Sequence, residues 1–421
     1  MASFIKGSWP LLLGMLLLMV GNGMHGTLLG IRGEVAGFST FEMSMVMSAY
    51  FLGFLGGSRL APEMIRRVGH VRVFAALGSM ISAVLILFPT VEHPIAWMLG
   101  RIIMGLCFSG VYVTAESWLN NAATNETRGK ALSLYMIVQM IGIITAQGMM
   151  TVPDSSGFLL FVIPSVLVSI SFAPILLSIS PTPAFETTKP MSLKELFHNS
   201  PLGVVGMFLL GGVFAAQFGM SAVFATRVGL TLNELSIFIA TFYVGATVFQ
   251  YPLGWLSDRM DRRQLIMVVA AIGTAGSVAG FLAGDNFYLL LVSALFIGGF
   301  SNPLYSMLIA HTNDFLDIED MAAASGGLVF VNGVGAIAGP IVIGRMMDIV
   351  GPSGFFIYVI LLLALLGVYA GYRTTRRPAA AVEDTGSFTA VMPTASVMAV
   401  EFAQEVAIET ALEEEQEAAA G

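Results

Sequence analysis

A single cysteine, Cys107, and a charged content of only 11% are the two scarcities that bound this 421-residue chain. One cysteine excludes an intrachain disulfide and any multi-cysteine metal centre, and Cys107 reads as a small packing residue within an apolar stretch. Charged residues make up about a quarter of an ordinary water-soluble domain, so a chain with 11% of them and 56% hydrophobic residues is not one. No G-x-x-x-x-G-K-[ST] sequence is present to cradle nucleotide phosphates, which leaves ATP hydrolysis unsupported. There is no H-E-x-x-H metal site and no nucleophile–base arrangement, and the grouping of His311 with Asp314 lacks a second histidine for a metal. No catalytic residue, metal or cofactor is therefore expected.

What the chain has instead is length in apolar runs. A helix needs roughly 20 apolar residues to cross a hydrocarbon layer of about 30 Å, and twelve such spans fit, near 9–31, 42–61, 72–90, 95–119, 131–150, 157–179, 201–223, 234–256, 264–284, 287–311, 322–343 and 354–372. The first begins after Lys6 as a signal peptide would, but it is too long for an h-region and no small-x-small site follows, so it is read as retained.

Lys and Arg are sorted between the loops. One side carries Lys6, Arg59, Arg66, Arg67, Arg72, Arg128, Lys130, Lys189, Lys194, Arg259, Arg262, Arg263, Arg373, Arg376 and Arg377; the other has only Arg32, Arg227 and Arg345, and Arg101 lies within a span. That bias predicts a multi-pass protein of the cytoplasmic (inner) membrane with both termini in the cytoplasm. The formal charge of −8 belongs to the tail: nine of the 27 acidic residues lie in 378–421, where there is no Lys or Arg, leaving 18 acidic against 19 basic residues elsewhere.

Ser180–Ser200, with Pro181, Pro183 and Pro190 and a short helix expected at Leu193–Phe197, divides the spans into two sets of six. The expected layout is an N-terminal six-helix bundle at 1–180, a cytoplasmic linker at 181–200, a C-terminal six-helix bundle at 201–377, and an acidic tail at 378–421. The tail is expected to be a disordered cytoplasmic appendage, with an amphipathic helix from about Ser396 to Glu417 as the other reading.

Polar side chains are expensive in hydrocarbon and normally face a protein interior or a watery cavity. Spans one, four, five, seven, eight, ten and eleven carry Asn22 and His25; Arg101 and Glu116; Gln139 and Gln147; Gln217; Gln250; Asn302 and His311; and Asn332, while span two has Glu42 at its lip. Spans three, six and twelve have no amide or ionisable group apart from tyrosines, and nine has only Gln264 at its mouth. A period of three in helix order predicts two bundles of three-plus-three repeats whose every third helix faces lipid. Helix–helix bonding explains single amides but not that spacing.

Local motifs supply a family. Gly254-Trp-Leu-Ser-Asp258-Arg259-Met-Asp261-Arg262-Arg263 resembles the G-x-x-x-D-R-x-G-R-R loop of the major facilitator superfamily, with Asp261 in place of its later glycine. Arg101-Ile-Ile-Met-Gly105 is similar to that family's R-x-x-x-G element, and Gly335-Ala-Ile-Ala-Gly339-Pro340 to its G-x-x-x-G-P element. The first-half loop, from Gly53 through Arg59 to Arg66-Arg67-Val-Gly69-His70-Val-Arg72, keeps the glycines and arginines but lacks the aspartate, for which Glu63 is the available substitute. Gly142–Gly148 has no proline, so the mark of many drug/proton antiporters is absent. Gly26–Gly33, Glu116-Ser-Trp-Leu-Asn120 and Pro303–Asp314 resemble the YcaD-like branch. The resemblance covers about residues 9–377. It implies an all-α membrane fold of twelve transmembrane helices and secondary transport of a small organic solute by alternating access, with the Gly254–Arg263 loop biasing the inward-closed state. Other classes left open are a membrane receptor or sensor on a transporter-like fold, and an intramembrane enzyme.

Candidate solute or proton-coupling residues are His25, Arg101, Tyr112, Gln139, Gln217, Asn302 and Asn332. Arg101 has two readings, an anion or proton site in the central cavity and a structural bond to helix carbonyls. His25, the only histidine deep in a span, reads first as a neutral histidine hydrogen-bonded across helices and, as the sharper alternative, as a proton-coupling group. Arg101 and Glu116 lie about 22 Å apart along their helix, so each needs another partner. Glu116 is expected to form a gate ion pair with Arg66, Arg67 or Arg72, with proton carriage as its other reading. Gly254, Asp258, Arg259, Arg262, Arg263, His311 and Asp314 are the remaining gate candidates. Expected partners are the solute, the lipid bilayer and, as an open question, protons, with no nucleic acid and a monomeric working unit.

Overall fold

The computed structural model describes residues 2–151, 158–177, 191–284, 286–376, 386 and 388–420. Twelve long helices carry the fold: α1 (Ala2–Val35), α2 (Thr40–Val68), α3 (His70–Leu87), α4 (Pro94–Ala122), α5 (Asn125–Met150), α6 (Leu159–Leu176), α7 (Pro201–Arg227), α8 (Leu232–Ser257), α9 (Arg262–Leu282), α10 (Phe287–Asn313), α11 (Ile318–Val350) and α12 (Gly354–Thr374). Eleven of them are long and apolar enough to cross a bilayer. The twelfth, α2, is as long, but Glu42 at one end and Arg59, Glu63, Arg66 and Arg67 at the other dilute its apolar middle. In hydrocarbon a helix satisfies its own backbone, so runs of this length have few alternatives.

The two halves repeat each other in detail. In the first, α1 packs on α5 and α6, α2 on α4, and α3 on α4 and α6; in the second, α7 packs on α11 and α12, α8 on α10, and α9 on α10 and α12. Adding six to each label of the first list gives the second. The halves meet through α2 with α11, α5 with α8, and α1 with α7. Even the helix starts match, since α2 begins with a capping box from Ser39 to Glu42 and α8 with one from Thr231 to Glu234. Each such cap is worth roughly 1 kcal/mol.

Tight seams explain one of the sequence motifs. A Cβ on Gly105 would run into the carbonyl oxygen of Tyr50, and one on Gly298 into that of Phe242. Gly105 therefore sets the depth at which α4 enters α2, and Gly298 does the same for α10 on α8.

The molecule has two unlike ends. At the end where α1 turns into α2 and α7 into α8, the halves touch: Arg227 pairs with Glu34 at 3.2 Å and its guanidinium reaches the Phe38 carbonyl at 3.4 Å. At the other end, the space between α4 and α5 on one side and α8, α10 and α11 on the other is filled by the tail. Val391, Met392, Ala395, Ser396, Ala399, Val400, Phe402, Ala403 and Gln404 are buried there, and a tail helix, Val397–Ala420, packs on α4, α5 and α11.

Of the two readings of the tail, a disordered appendage and a helix from about Ser396 to Glu417, the described residues have a helix at Val397–Ala420. Averaging charge over the whole tail hid an apolar stretch, for between Phe388 and Gln404 the only acidic residue is Glu401. The linker falls partly outside the described residues, which resume at Met191, and its short helix runs Leu193–Asn199.

Candidate functional site

Between the two ends α1, α2, α4, α5, α7 and α8 enclose a cavity of about 80 Å³. Asn22, Thr27, Tyr50, Arg101, Tyr112, Gln147, Gln217, Ser221 and Tyr243 supply its polar lining, together with Thr394 of the tail. None of the lining residues comes from α3, α6, α9 or α12, which is the arrangement the apolar third helices implied.

Each half braces its side of the chamber in the same way. Between α1 and α4, the Asn22 amide donates to the Tyr112 hydroxyl at 3.1 Å. Between α7 and α10, the Gln217 amide donates to the Ser301 hydroxyl at 2.7 Å and its carbonyl accepts from Asn302 at 3.4 Å. Gln217 reaches inward from a π-helical turn, Ala216–Met220, set into α7; such turns re-aim side chains and frequently mark functional sites. Across α1 and α5, Thr27 donates to the Gln147 carbonyl at 3.1 Å, and the Gln147 amide donates to the Gly23 carbonyl at 3.1 Å.

Arg101 is the charged member. It is 3% exposed, its guanidinium carbon stands 4.4 Å from the Tyr50 ring centroid, and its other neighbours are His25 Nδ1 at 3.3 Å and the Met47 sulfur at 3.4 Å. Its Nε and His25 Nε2 are both buried without a partner. A guanidinium only donates, so His25 Nδ1 accepts and carries no proton in this arrangement. The cation is held by a ring face, a neutral imidazole and a thioether, with no carboxylate in contact among the described residues, leaving Nε without a partner and most of a unit charge to be satisfied by something else.

The other sequence candidates fall into three groups. Tyr112 and Gln217 line the chamber with Arg101, while His25 sits behind Arg101 and Asn302 behind Gln217. Asn332 donates to the Met207 carbonyl at 3.0 Å, which is a bond between α7 and α11 away from the chamber. Gln139 is buried in α5 but does not line the chamber. Missing from the candidates were Asn22, Tyr50, Gln147 and Tyr243. Tyr50 and Tyr243 sit on α2 and α8, six helices apart, and that matched placement was a signal available in the sequence.

At the tail end the loop between α8 and α9 forms a compact ionic knot. Arg262, 3% exposed, pairs with Asp314 and with Asp258 at 3.4 Å, and bonds the Ser257 hydroxyl at 3.2 Å and the Ala310 carbonyl. Arg263 pairs with Asp261 at 3.0 Å. Burial pushes the Asp261 carboxyl up, but the bonds from Arg263 outweigh it and hold the group below its ordinary range. Arg259 lies over the Trp255 ring at 4.3 Å, and buried His311 meets the Phe315 ring edge-on.

The expected pairing of Glu116 with Arg66, Arg67 or Arg72 is not formed. Arg66 and Arg67 both reach Glu63, three and four residues back on α2, at 2.8 and 2.6 Å, and Arg72 is exposed. One turn of helix puts that carboxylate nearer than any on α4. Glu116, 1% exposed, accepts from the Tyr135 hydroxyl at 3.2 Å and from the Ser396 backbone N–H at 3.0 Å and hydroxyl.

Comparison with known proteins agrees with this architecture. The model of the Major Facilitator Superfamily matches residues 11–239 and 219–404. A relative from Salmonella heidelberg (strain SL476), named an uncharacterized MFS-type transporter YcaD, is 26% identical over 380 residues, covering 87% of this chain and 98% of its own. Among solved structures, the nucleoside transporter NupG (D323A mutant) superposes with a TM-score of 0.74 at 16% identity, over 88% of this chain and 99% of its own. A bacterial homolog to the human lysosomal transporter Spinster, inward-facing and occupied, gives 0.70 at 14% identity, over 90% and 97%.

Proposed function

The chain belongs to the Major Facilitator Superfamily, and on that premise we propose that it is a secondary transporter for a small organic solute bearing an anionic group, moved across the inner membrane by alternating access. The observation that carries the solute class is Arg101: a buried cation with no carboxylate in contact among the described residues, facing a chamber whose remaining polar lining is amide, hydroxyl and ring. An isolated charge in a low-dielectric site is costly until paired, and an anion entering the chamber supplies the pair. Tyr50, Tyr112 and Tyr243 offer ring faces and hydroxyls to the solute body, with Asn22, Gln147 and Gln217 as amide partners.

The two six-helix bundles, residues 1–180 and 201–377, rock about this chamber, joined by the linker at 181–200. The excess of Lys and Arg at the tail end supports an orientation with that end and both termini in the cytoplasm. Proton coupling follows from His25. A proton on Nδ1 breaks the bond from Arg101, so solute capture by Arg101 and proton uptake by His25 favour one another.

Counterflow of small carboxylates in proteoliposomes tests the reading. Arg101→Ala is expected to abolish flux that Arg101→Lys partly retains, and Asp258→Asn to slow it. Flux of a solute without an anionic group that survives Arg101→Ala would remove the anion assignment. Flux that ignores an imposed pH gradient would remove proton coupling.

A further inference from the structure

We propose that residues 388–404 are a tethered plug that docks between the two bundles at the cytoplasmic end and holds the transporter closed to solute. The locking role rests on the transporter reading above, whereas the docking itself does not.

The segment is bonded to both bundles. On the first, Glu116 of α4 accepts from Ser396, and Glu405, the residue that follows the segment, meets Asn120 and Arg128 at 3.3 and 3.1 Å. On the second, Asp258 accepts from the Phe388 N–H at 2.7 Å, and Ser306 exchanges bonds with the Val391 N–H and carbonyl at 2.9 and 3.1 Å. Gln404 accepts from Ser325 at 2.6 Å and donates to Asn313 at 3.2 Å. In the non-helical stretch before the tail helix, the N–H groups of Phe388, Val391 and Ser396 and the Val391 carbonyl are thus satisfied by wall side chains, as a buried backbone requires. Gly254, first residue of the loop signature, has the Phe388 ring packed where a Cβ would stand.

Two consequences follow from the volume filled. The bundles cannot close on each other at this end while a peptide lies between α4 and α10. The central chamber, bounded by Thr394, keeps about 80 Å³, the room of roughly two or three waters, whereas solute sites run to about 300–1,000 Å³. Solute entry therefore requires the segment to leave. Being tethered, it faces its own groove at an effective concentration on the order of millimolar, so weak contacts suffice to keep it home and a modest competing signal suffices to release it.

Hydrogen–deuterium exchange on the detergent-purified full chain reads the docking. Amides of 388–404 are expected to exchange at least about tenfold slower than the unstructured rate, ~1.4 kcal/mol of protection, and to lose it in Val400→Asp/Phe402→Asp. Electron-resonance distances between spin labels at Ala36→Cys and Val228→Cys read the lock: the tail double variant is expected to add a population with the outer end open. Unprotected amides in the unaltered tail overturn the docking; protected amides with an unchanged outer-end distance on undocking overturn the lock. Neither readout needs a transported solute, so failure of the transporter reading leaves a separate trace in the flux assay.

Discussion

Arg101 faces Tyr50 across the seam of α4 on α2, with its guanidinium carbon 4.4 Å above the ring and no carboxylate in contact among the described residues. A charge held this way costs stability rather than adding to it, because a π face and a neutral imidazole offset only part of its lost hydration. Replacing it by an apolar side chain of similar length relieves that cost. Arg101→Met is therefore expected to leave thermal stability unchanged or raised by about 1–2 kcal/mol, while abolishing solute flux. Melting in detergent together with proteoliposome flux checks this, and a loss of about 3 kcal/mol or more would instead make Arg101 a structural bond donor.

At the end away from the tail an ion pair joins the bundles, Arg227 with Glu34, 33% and 43% exposed. Exposed pairs are worth about 0–1 kcal/mol, so this contact trims a balance instead of setting it. Glu34→Gln is expected to shift the closed-to-open ratio at that end by no more than about fivefold. The distance distribution between labels flanking α1 and α7 measures it. A complete switch to the open form would show that the helix contacts behind the pair contribute almost nothing.

Much of this fold is legible in residue order because hydrocarbon enforces it: long apolar runs become helices, and the polar-free third helices fall outside the chamber. Arg101, Tyr112 and Gln217 were readable as chamber residues because polar groups deep in spans have few other places to go. Asn332 misled for the same reason, since bonding the Met207 carbonyl satisfies an amide as well as solute would. The partner of Glu116 was unreadable. Choosing Ser396 over an arginine depends on a contact 280 residues apart in sequence, and on Glu63 engaging Arg66 and Arg67 first.

Arg262 and Asp314 are both nearly solvent-free and paired, with side chains 2% and 3% exposed. Removing one partner of such a pair strands the other charge, at about 3–5 kcal/mol. Asp314→Asn is expected to lower stability by about that much, and Arg262→Met/Asp314→Leu together to lose far less. Urea or thermal unfolding of the three proteins gives the comparison. Additive losses would mean that the two side chains act independently despite their contact.

Tail docking should depend on pH through Glu401, whose carboxyl is pushed up to about 7, by burial first and by Glu405 one turn away second. Beside it the cavity between tail and α2 presents Arg59, Glu63 and Arg66. A carboxyl with a raised value in the docked state favours docking when protonated, so the docked form is fully favoured below the free value of about 4.3 and loses ground as pH rises through about 7. Above that the dependence levels off, because Glu401 is ionised in both forms. Exchange protection of 388–404, corrected for intrinsic rates, should fall about tenfold or more between pH 5 and pH 7.5. Glu401→Gln should flatten the profile while keeping the tail docked at the higher pH. Protection that instead grows with pH, or a slope that survives Glu401→Gln, would assign the titration to another group.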